Sequence, residues 1–255
     1  MPLLDPIESP AARALNTNGK APALLVCEHA SRFIPAALDE LGLTATAALS
    51  HAAWDIGARD LAIELMGALD APLVLSRVSR LVYDCNRPPD AKGAIPSRSE
   101  AFEVPGNSEL TTEERNRRVQ EIYNPFQRLL SATLDARPTP PVLITIHSFT
   151  PVYHGRRRDV ELGILHDADD RAARILLKAA SGSGLKTALN QPYSAADGVT
   201  HTLREHGLKR GLPNVMIEIR NDLLDSPGGI TRMTGLLAPM LQATISELVP
   251  QEVQT

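Results

Sequence analysis

The chain has 255 residues, 43% hydrophobic and 22% charged, the balance of a globular domain rather than a disordered chain. A formal net charge of −4 leaves no footprint for a polyanion, and no apolar run reaches the roughly 18 residues of a membrane span, so neither nucleic acid nor a membrane is an expected partner. Two cysteines, Cys27 and Cys85, cannot build a disulfide framework, and residues 1–20 lack the pattern of a secretory signal; a reducing cytoplasm is the expected home.

Residues 1–20, rich in Ala, Pro and Asn, read as an N-terminal arm, and residues 21–255 as one domain. Ala23 to Cys27 is an apolar run whose length suits a buried strand. Residues 53–69 place Ile56, Leu61, Leu65 and Leu69 near helical spacing, and 72–75 and 81–83 then read as strands. From 87 to 107 the chain carries Pro88, Pro89, Pro96 and Pro105 with little periodicity, a loop long enough to be functional. Thr111 and Glu114 form a capping box that opens a helix through Val119, Ile122, Phe126 and Leu130, disturbed at Pro125. Strands follow at 142–146 and 160–165, and a helix at 172–180 stops near Gly182 and Gly184. Residues 200–205 read as a short helix, 215–219 as a strand and 231–248 as the closing helix. This alternation predicts a single three-layer α/β domain with a mostly parallel or mixed central sheet.

In open α/β sheets, active sites collect at the carboxyl ends of the strands. The polar residues that follow the apolar runs are Glu28-His29, Asp84-Cys85-Asn86-Arg87 and His147-Ser148. Glu218 and Arg220 lie two apart on the late strand and so share a face. Two histidines at equivalent strand ends suit zinc, whose catalytic sites take three protein ligands and leave a position open. A carboxylate completes such a set, either Asp55 or Glu28. Adjacent residues on an extended strand point to opposite faces, which separates Glu28 from His29 and favours Asp55, unless Asp55 only caps its helix.

Glu218, inside an apolar strand, has to be paired, metal-bound or protonated. It is either an ion-pair partner of an arginine or a general base for a water. Arg80, Arg87 and Arg220 offer planar forks to a substrate carboxylate, or pair with Asp84 and Glu218. Arg156-Arg157-Arg158 reads as a solvated turn, His51 and His206 as helix-surface residues, and the two cysteines as inert buried thiols. No GxSxG, GxGxxG or GxxxxGK[ST] occurs, so a serine-hydrolase elbow and nucleotide chemistry have no support.

Five segments, in order, resemble the N-formylglutamate amidohydrolase family. They are Cys27-Glu28-His29-Ala30-Ser31 with Ile34-Pro35; Trp54-Asp55-Ile56-Gly57; Ser79-Arg80-Leu81-Val82-Tyr83-Asp84-Cys85-Asn86-Arg87-Pro88; Thr145-Ile146-His147-Ser148-Phe149; and Ile217-Glu218-Ile219-Arg220. The resemblance runs from about Leu24 to Asp222, and its most specific piece is the Arg-x-x-x-Asp-x-Asn-Arg of Arg80 to Arg87. It implies a phosphorylase/hydrolase-like α/β domain, similar to zinc-dependent exopeptidases, that hydrolyses N-formyl-L-glutamate to formate and glutamate in histidine breakdown. It further implies His29 and His147 as ligands of one Zn²⁺ per chain, Asn86 and Arg87 as the holders of a substrate carboxylate, and Glu218 as the catalytic residue. Arg80 and Arg220 stand by as further carboxylate binders for an acidic N-acyl amino acid. Exopeptidases of this type often place a carboxylate ligand three residues after the first histidine, where this chain has Arg32, and the neighbours of His29 are Glu28 and Ala30 where members often have Pro and Gly. Two other functions stay open on this reading. One is a metal-free protein that binds a dicarboxylate or an acylated amino acid; the other is a hydrolase of another N-acyl amino acid or a small peptide.

Overall fold

The apolar runs pair into a seven-stranded sheet in a computed structural model that describes residues 2–249. Its strands are β1 (Ala12–Leu15), β2 (Ala23–Cys27), β3 (Leu73–Ser76), β4 (Val142–Phe149), β5 (Leu162–Leu165), β6 (Thr187–Leu189) and β7 (Asn214–Arg220). They lie in the order β1-β3-β2-β4-β7-β5-β6. The central four are mutually parallel. β1 runs antiparallel to β3, and β5 runs antiparallel to β7, so the sheet is mixed. The principal helices are α1 (Ala58–Leu69), α2 (Thr112–Arg118), α3 (Asn124–Asp135), α4 (Arg171–Ala180) and α5 (Pro227–Leu248). No helix among the described residues is long and apolar enough to cross a membrane.

Every residue of β2, β4 and β7 is buried, the sign of strands covered on both faces. Alternation along each strand then divides the apolar side chains between two cores. Leu25, Cys27, Ile144, Ile146, Ile217 and Ile219 pack with α1, α4 and α5. Leu24, Val26 and Leu143 pack on the other face with Leu81, Tyr83, Phe126 and Leu130. The same period of two carries His147 to the second face, and the parallel register sets Glu218 of β7 directly beside it.

Several elements differ from the sequence reading. The segment 1–20 contributes the edge strand β1, and β6 adds the opposite edge; both are short and only partly apolar, so no buried run marks them. Residues 81–83 are buried but form a turn, because the Ser79 carbonyl accepts from the amides of Val82 and Tyr83. Three apolar residues are too few to separate a strand from a packed turn. The 53–69 helix starts only at Ala58, after Gly57 at φ +79°. A Cβ at Gly57 would fall 2.4 Å from Leu224 Cβ, so this left-handed residue lets the start of α1 approach Leu224. The strand expected at 160–165 is confined to Leu162–Leu165, and the closing helix begins earlier, at Pro227 with Ser226 capping the amide of Gly229. The Thr111–Glu114 box forms as expected. Ahead of Pro125 the helix widens into a π turn over Val119–Tyr123, which relieves the clash of the ring with the preceding turn.

The long 87–107 loop holds a small hairpin, Arg98–Ser99 with Phe102–Glu103. Arg118, 2% exposed, anchors its far end by donating to Asn107 Oδ1 at 2.6 Å and to the Val82 carbonyl at 3.1 Å. Asn107 Nδ2 in turn donates to the carbonyls of Leu81 and Pro96, each at 2.8 Å.

This layering has a direct test. Ile217→Ala removes a fully buried side chain between the central strand and its helices and is expected to lower the unfolding free energy by about 2–5 kcal/mol. Leu49→Ala, at a side chain 58% exposed, is expected to change it by less than about 0.5 kcal/mol. Equal losses in urea denaturation would contradict the assignment of the two positions.

Candidate active site

The carboxyl ends of β2, β3, β4 and β7 all open on the same edge of the sheet, and the side chains that follow them meet there. Asp55 arrives from the turn before α1, where its amide donates to the His29 carbonyl at 3.0 Å. Its Oδ2 lies 3.2 Å from His29 Nδ1 and 2.9 Å from His147 Nδ1, and the two ring nitrogens are 3.2 Å apart. All three residues are buried. Ser148 holds the same carboxylate from behind, its amide 3.3 Å from Oδ2 and its hydroxyl on the Ile56 carbonyl.

The far nitrogen of each imidazole faces another carboxylate. His29 Nε2 is 2.7 Å from Asp84 Oδ1, and His147 Nε2 is 3.2 Å from Glu28 Oε2, a contact that lacks good hydrogen-bond geometry. Glu28 therefore lies behind His147, outside the three-atom group. Arg80 spans the two aspartates, donating to Asp55 Oδ1 at 3.1 Å and Asp84 Oδ2 at 2.9 Å. Burial works to raise the carboxyls of Glu28, Asp55 and Asp84. The imidazoles outweigh it and hold all three below their ordinary values, helped by Arg80 at Asp55 and Asp84. Burial opposes charge on His147 too, but Glu28 and Asp55 carry that imidazole well above its usual value.

The donor set fits a divalent metal. Ligands at the 2.0–2.1 Å typical of zinc stand about 3.3 Å apart at tetrahedral corners, close to the observed separations. Asp84 on the distal nitrogen of His29 favours the proton on Nε2 and leaves its Nδ1 lone pair toward the other two donor atoms, and Glu28 lies on the corresponding side of His147. The charge balance agrees: Glu28, Asp55 and Asp84 carry three negative charges against one on Arg80, and a 2+ ion or two imidazole protons make up the difference.

The group opens into a cavity of about 180 Å³, room for on the order of a dozen water-sized groups. Glu218 lines it, 5% exposed and with Oε2 unpartnered. Burial, then the nearby Asp55, push its carboxyl up to about 7 against the pull of His147, His29 and Arg80. Arg87 also lines the cavity, and Nη1 donates to the Asp197 carbonyl at 2.9 Å, which leaves the rest of its fork without a carboxylate partner among the described residues. Asn86 is present, but its amide is engaged: Nδ2 donates to the Val199 carbonyl and Oδ1 accepts from the Thr202 amide. It braces the 199–202 segment while lining the cavity, and its second Nδ2 hydrogen has no acceptor among the described residues. Arg220 does share a face with Glu218, yet it stays outside the cavity, because Asp222, Glu161 and the carbonyls of Arg158 and Asp159 hold its guanidinium.

Other wall residues come from loops that carry no periodic signal. His51, read as a surface residue, faces the cavity with Nε2 2.6 Å from Glu100 Oε2, and Glu100 Oε1 accepts from the His154 amide. His206, also read as a surface residue, is buried against Gln127. Arg156 and Arg157 pair with Tyr153 and Val152 in a hairpin, while Arg158 sits among aromatic rings. The sequence does carry a signal for that hairpin. His154-Gly155, both at positive φ, lies between β-formers and basic residues, the signature of a tight hairpin turn. Tyr193 reaches the wall because its segment crosses β5 at Gly163, where a Cβ would fall 2.2 Å from the Gln191 carbonyl and 3.1 Å from Glu218 Cβ.

The chain is similar to several known proteins. A gene product from Agrobacterium tumefaciens has a similar structure, with 47% identity and a TM-score of 0.94 over 96% of this chain and 98% of that one. A bacteriophage poly-gamma-glutamate hydrolase gives 9% identity and a TM-score of 0.44, covering 94% of this chain and 91% of its own. An aspartoacylase family protein from Mesorhizobium loti gives 16% and 0.40, covering 95% and 62%. No curated protein matches the chain. The model of the N-formylglutamate amidohydrolase family matches residues 21–224, a span that includes His29, Asp55, His147 and Glu218. On the breadth of that match, the chain belongs to the N-formylglutamate amidohydrolase family.

Proposed function

We propose that this chain is a metal-dependent amidohydrolase that cleaves an acidic N-acyl amino acid, with N-formyl-L-glutamate as the leading substrate, to formate and glutamate. The family supports amide hydrolysis in general. The observation that carries the finer reading is the triangle of His29 Nδ1, His147 Nδ1 and Asp55 Oδ2 at the floor of a cavity that also holds Glu218. Two imidazoles and a carboxylate suit Zn²⁺, which when bound polarises an amide carbonyl and lowers the pKa of a water.

The remaining work falls to side chains of this chain. Asp84 and Glu28 orient the two imidazoles, and Arg80 keeps Asp55 and Asp84 charged. Glu218, whose carboxyl sits near neutrality, takes a proton from the attacking water and returns it to the leaving nitrogen. Arg87 meets a substrate carboxylate with its open fork, which gives orientation as well as affinity. N-formyl-L-glutamate, with about a dozen non-hydrogen atoms, suits the cavity volume. Both cysteines are free and buried, which fits a reducing compartment such as the cytoplasm.

Protein purified without chelator is expected to hold about one zinc per chain by elemental analysis. A His29→Ala/His147→Ala double variant is expected to hold none. Protein that takes up no metal even after soaking with zinc would turn the reading toward a metal-free binder. Glu218→Gln is expected to lower kcat on N-formyl-L-glutamate by about 10²- to 10⁴-fold, and turnover within a few-fold of wild type removes the general-base role. Arg87→Met is expected to raise KM by about 10- to 100-fold with a smaller change in kcat. An unchanged KM would show that the substrate carboxylate is held elsewhere.

A further inference from the structure

One wall of the cavity, formed by Phe149, Tyr153 and Tyr193, has no part in the chemistry above. Behind it lies Arg158, its guanidinium carbon 4.3 Å from the Tyr153 ring centroid, 4.8 Å from that of Tyr193 and 5.5 Å from that of Phe149. Its described hydrogen-bond acceptors are the Tyr193 hydroxyl at 2.9 Å and the Thr150 carbonyl at 3.4 Å, and neither is a carboxylate. Three ring faces stabilise the cation in place of an anion.

That arrangement fixes what the phenol can do. The Tyr193 oxygen accepts from a cation, so its own proton is the free end of the group, and a hydroxyl polarised in this way is a stronger donor. No described residue accepts that proton. Tyr193 and Glu218 line the same cavity, and burial, then Glu218, hold the phenol above its usual value against the pull of Arg158 and Arg80, so it keeps its proton. Gly163 is the opening that lets the Gln191 backbone cross beside Glu218 and deliver Tyr193 there.

We infer that Tyr193 is a further catalytic residue, donating its O–H to the carbonyl oxygen of the scissile amide as that oxygen gains negative charge, with Arg158 as the positioning residue that orients the phenol. The inference rests on the amidohydrolase reading. The water oxygen bonds to the carbonyl carbon, the carbonyl π pair moves onto its oxygen, and the water proton goes to Glu218. When that pair returns, the C–N bond breaks, its electrons leave on nitrogen, and Glu218 supplies the proton that the amine needs. Tyr193 keeps its own proton throughout. Donors aimed at a developing oxyanion stabilise the transition state more than the ground state, so their loss acts on kcat.

Steady-state kinetics on N-formyl-L-glutamate, or on whichever N-acyl amino acid wild type prefers, test this. Tyr193→Phe is expected to lower kcat by about 10²- to 10³-fold with KM within about threefold of wild type. Arg158→Met is expected to lower kcat by about tenfold, and Arg158→Lys, which keeps the cation, to recover part of the loss. A tetrahedral phosphonate analogue of the amide is expected to lose affinity for Tyr193→Phe in proportion to kcat/KM, while the product amino acid and the metal bind as in wild type. A raised KM at unchanged kcat, or a loss below about threefold, overturns the inference and leaves the amidohydrolase reading standing. A wild-type chain that hydrolyses no N-acyl amino acid removes both.

Discussion

Three carboxylates buried around two imidazoles have to be neutralised where they lie, and the architecture of the site follows from that requirement. An unpaired carboxylate inside a protein is costly enough that it protonates or finds a cation. Here Asp55 and Asp84 share the fork of Arg80, and each imidazole lies between carboxylates. The sheet makes the convergence possible. Parallel strands end together, so residues far apart in sequence arrive on one edge already oriented by the pleat. His147 and Glu218 are the clearest case, paired in register on neighbouring strands. Glu218 lacks a comparable partner and titrates near neutrality, whereas Asp55 and Asp84 stay charged. One cavity thus holds carboxylates suited to different tasks.

The central strands were legible because burial on both faces writes a continuous apolar run. β1 and β6 at the edges carry no such run, and 81–83 carried one too short to mean a strand. His29, Asp55, His147 and Glu218 could be read because each follows or interrupts a strongly apolar segment, or shortly precedes a helix. Asp55, and not Glu28, is the carboxylate that lies beside both Nδ1 atoms, and Glu28 and His29 sit just past the end of β2, in a turn, where strict strand alternation does not apply. Arginine roles were harder to read. The sequence shows which residues carry charge but not which acceptors lie within reach, and Arg220 and Asn86 proved to be engaged by neighbours from distant loops. His51, Glu100, Tyr193 and Arg158 come from irregular segments, where only packing decides which side chain faces the cavity.

The cavity has two chemically distinct sides. Its floor is ionic, with two imidazoles and Arg80 set among carboxylates, while its wall combines aromatic rings with a guanidinium that they enclose. Glu100 links the two small hairpins above it, since the hairpin at 98–103 carries the carboxylate that receives His51 and the amide of His154. The mouth is therefore assembled from segments that each depend on a partner elsewhere in the chain.

Arg118 and Asn107 do not line this cavity, yet they hold the turn that leads into Asp84, Asn86 and Arg87. The Val82 and Leu81 carbonyls, two and three residues before Asp84, are fastened to this pair. A genetic screen for lost activity would recover substitutions at Arg118 or Asn107 and group them with lesions of the reaction centre, although neither side chain borders the cavity.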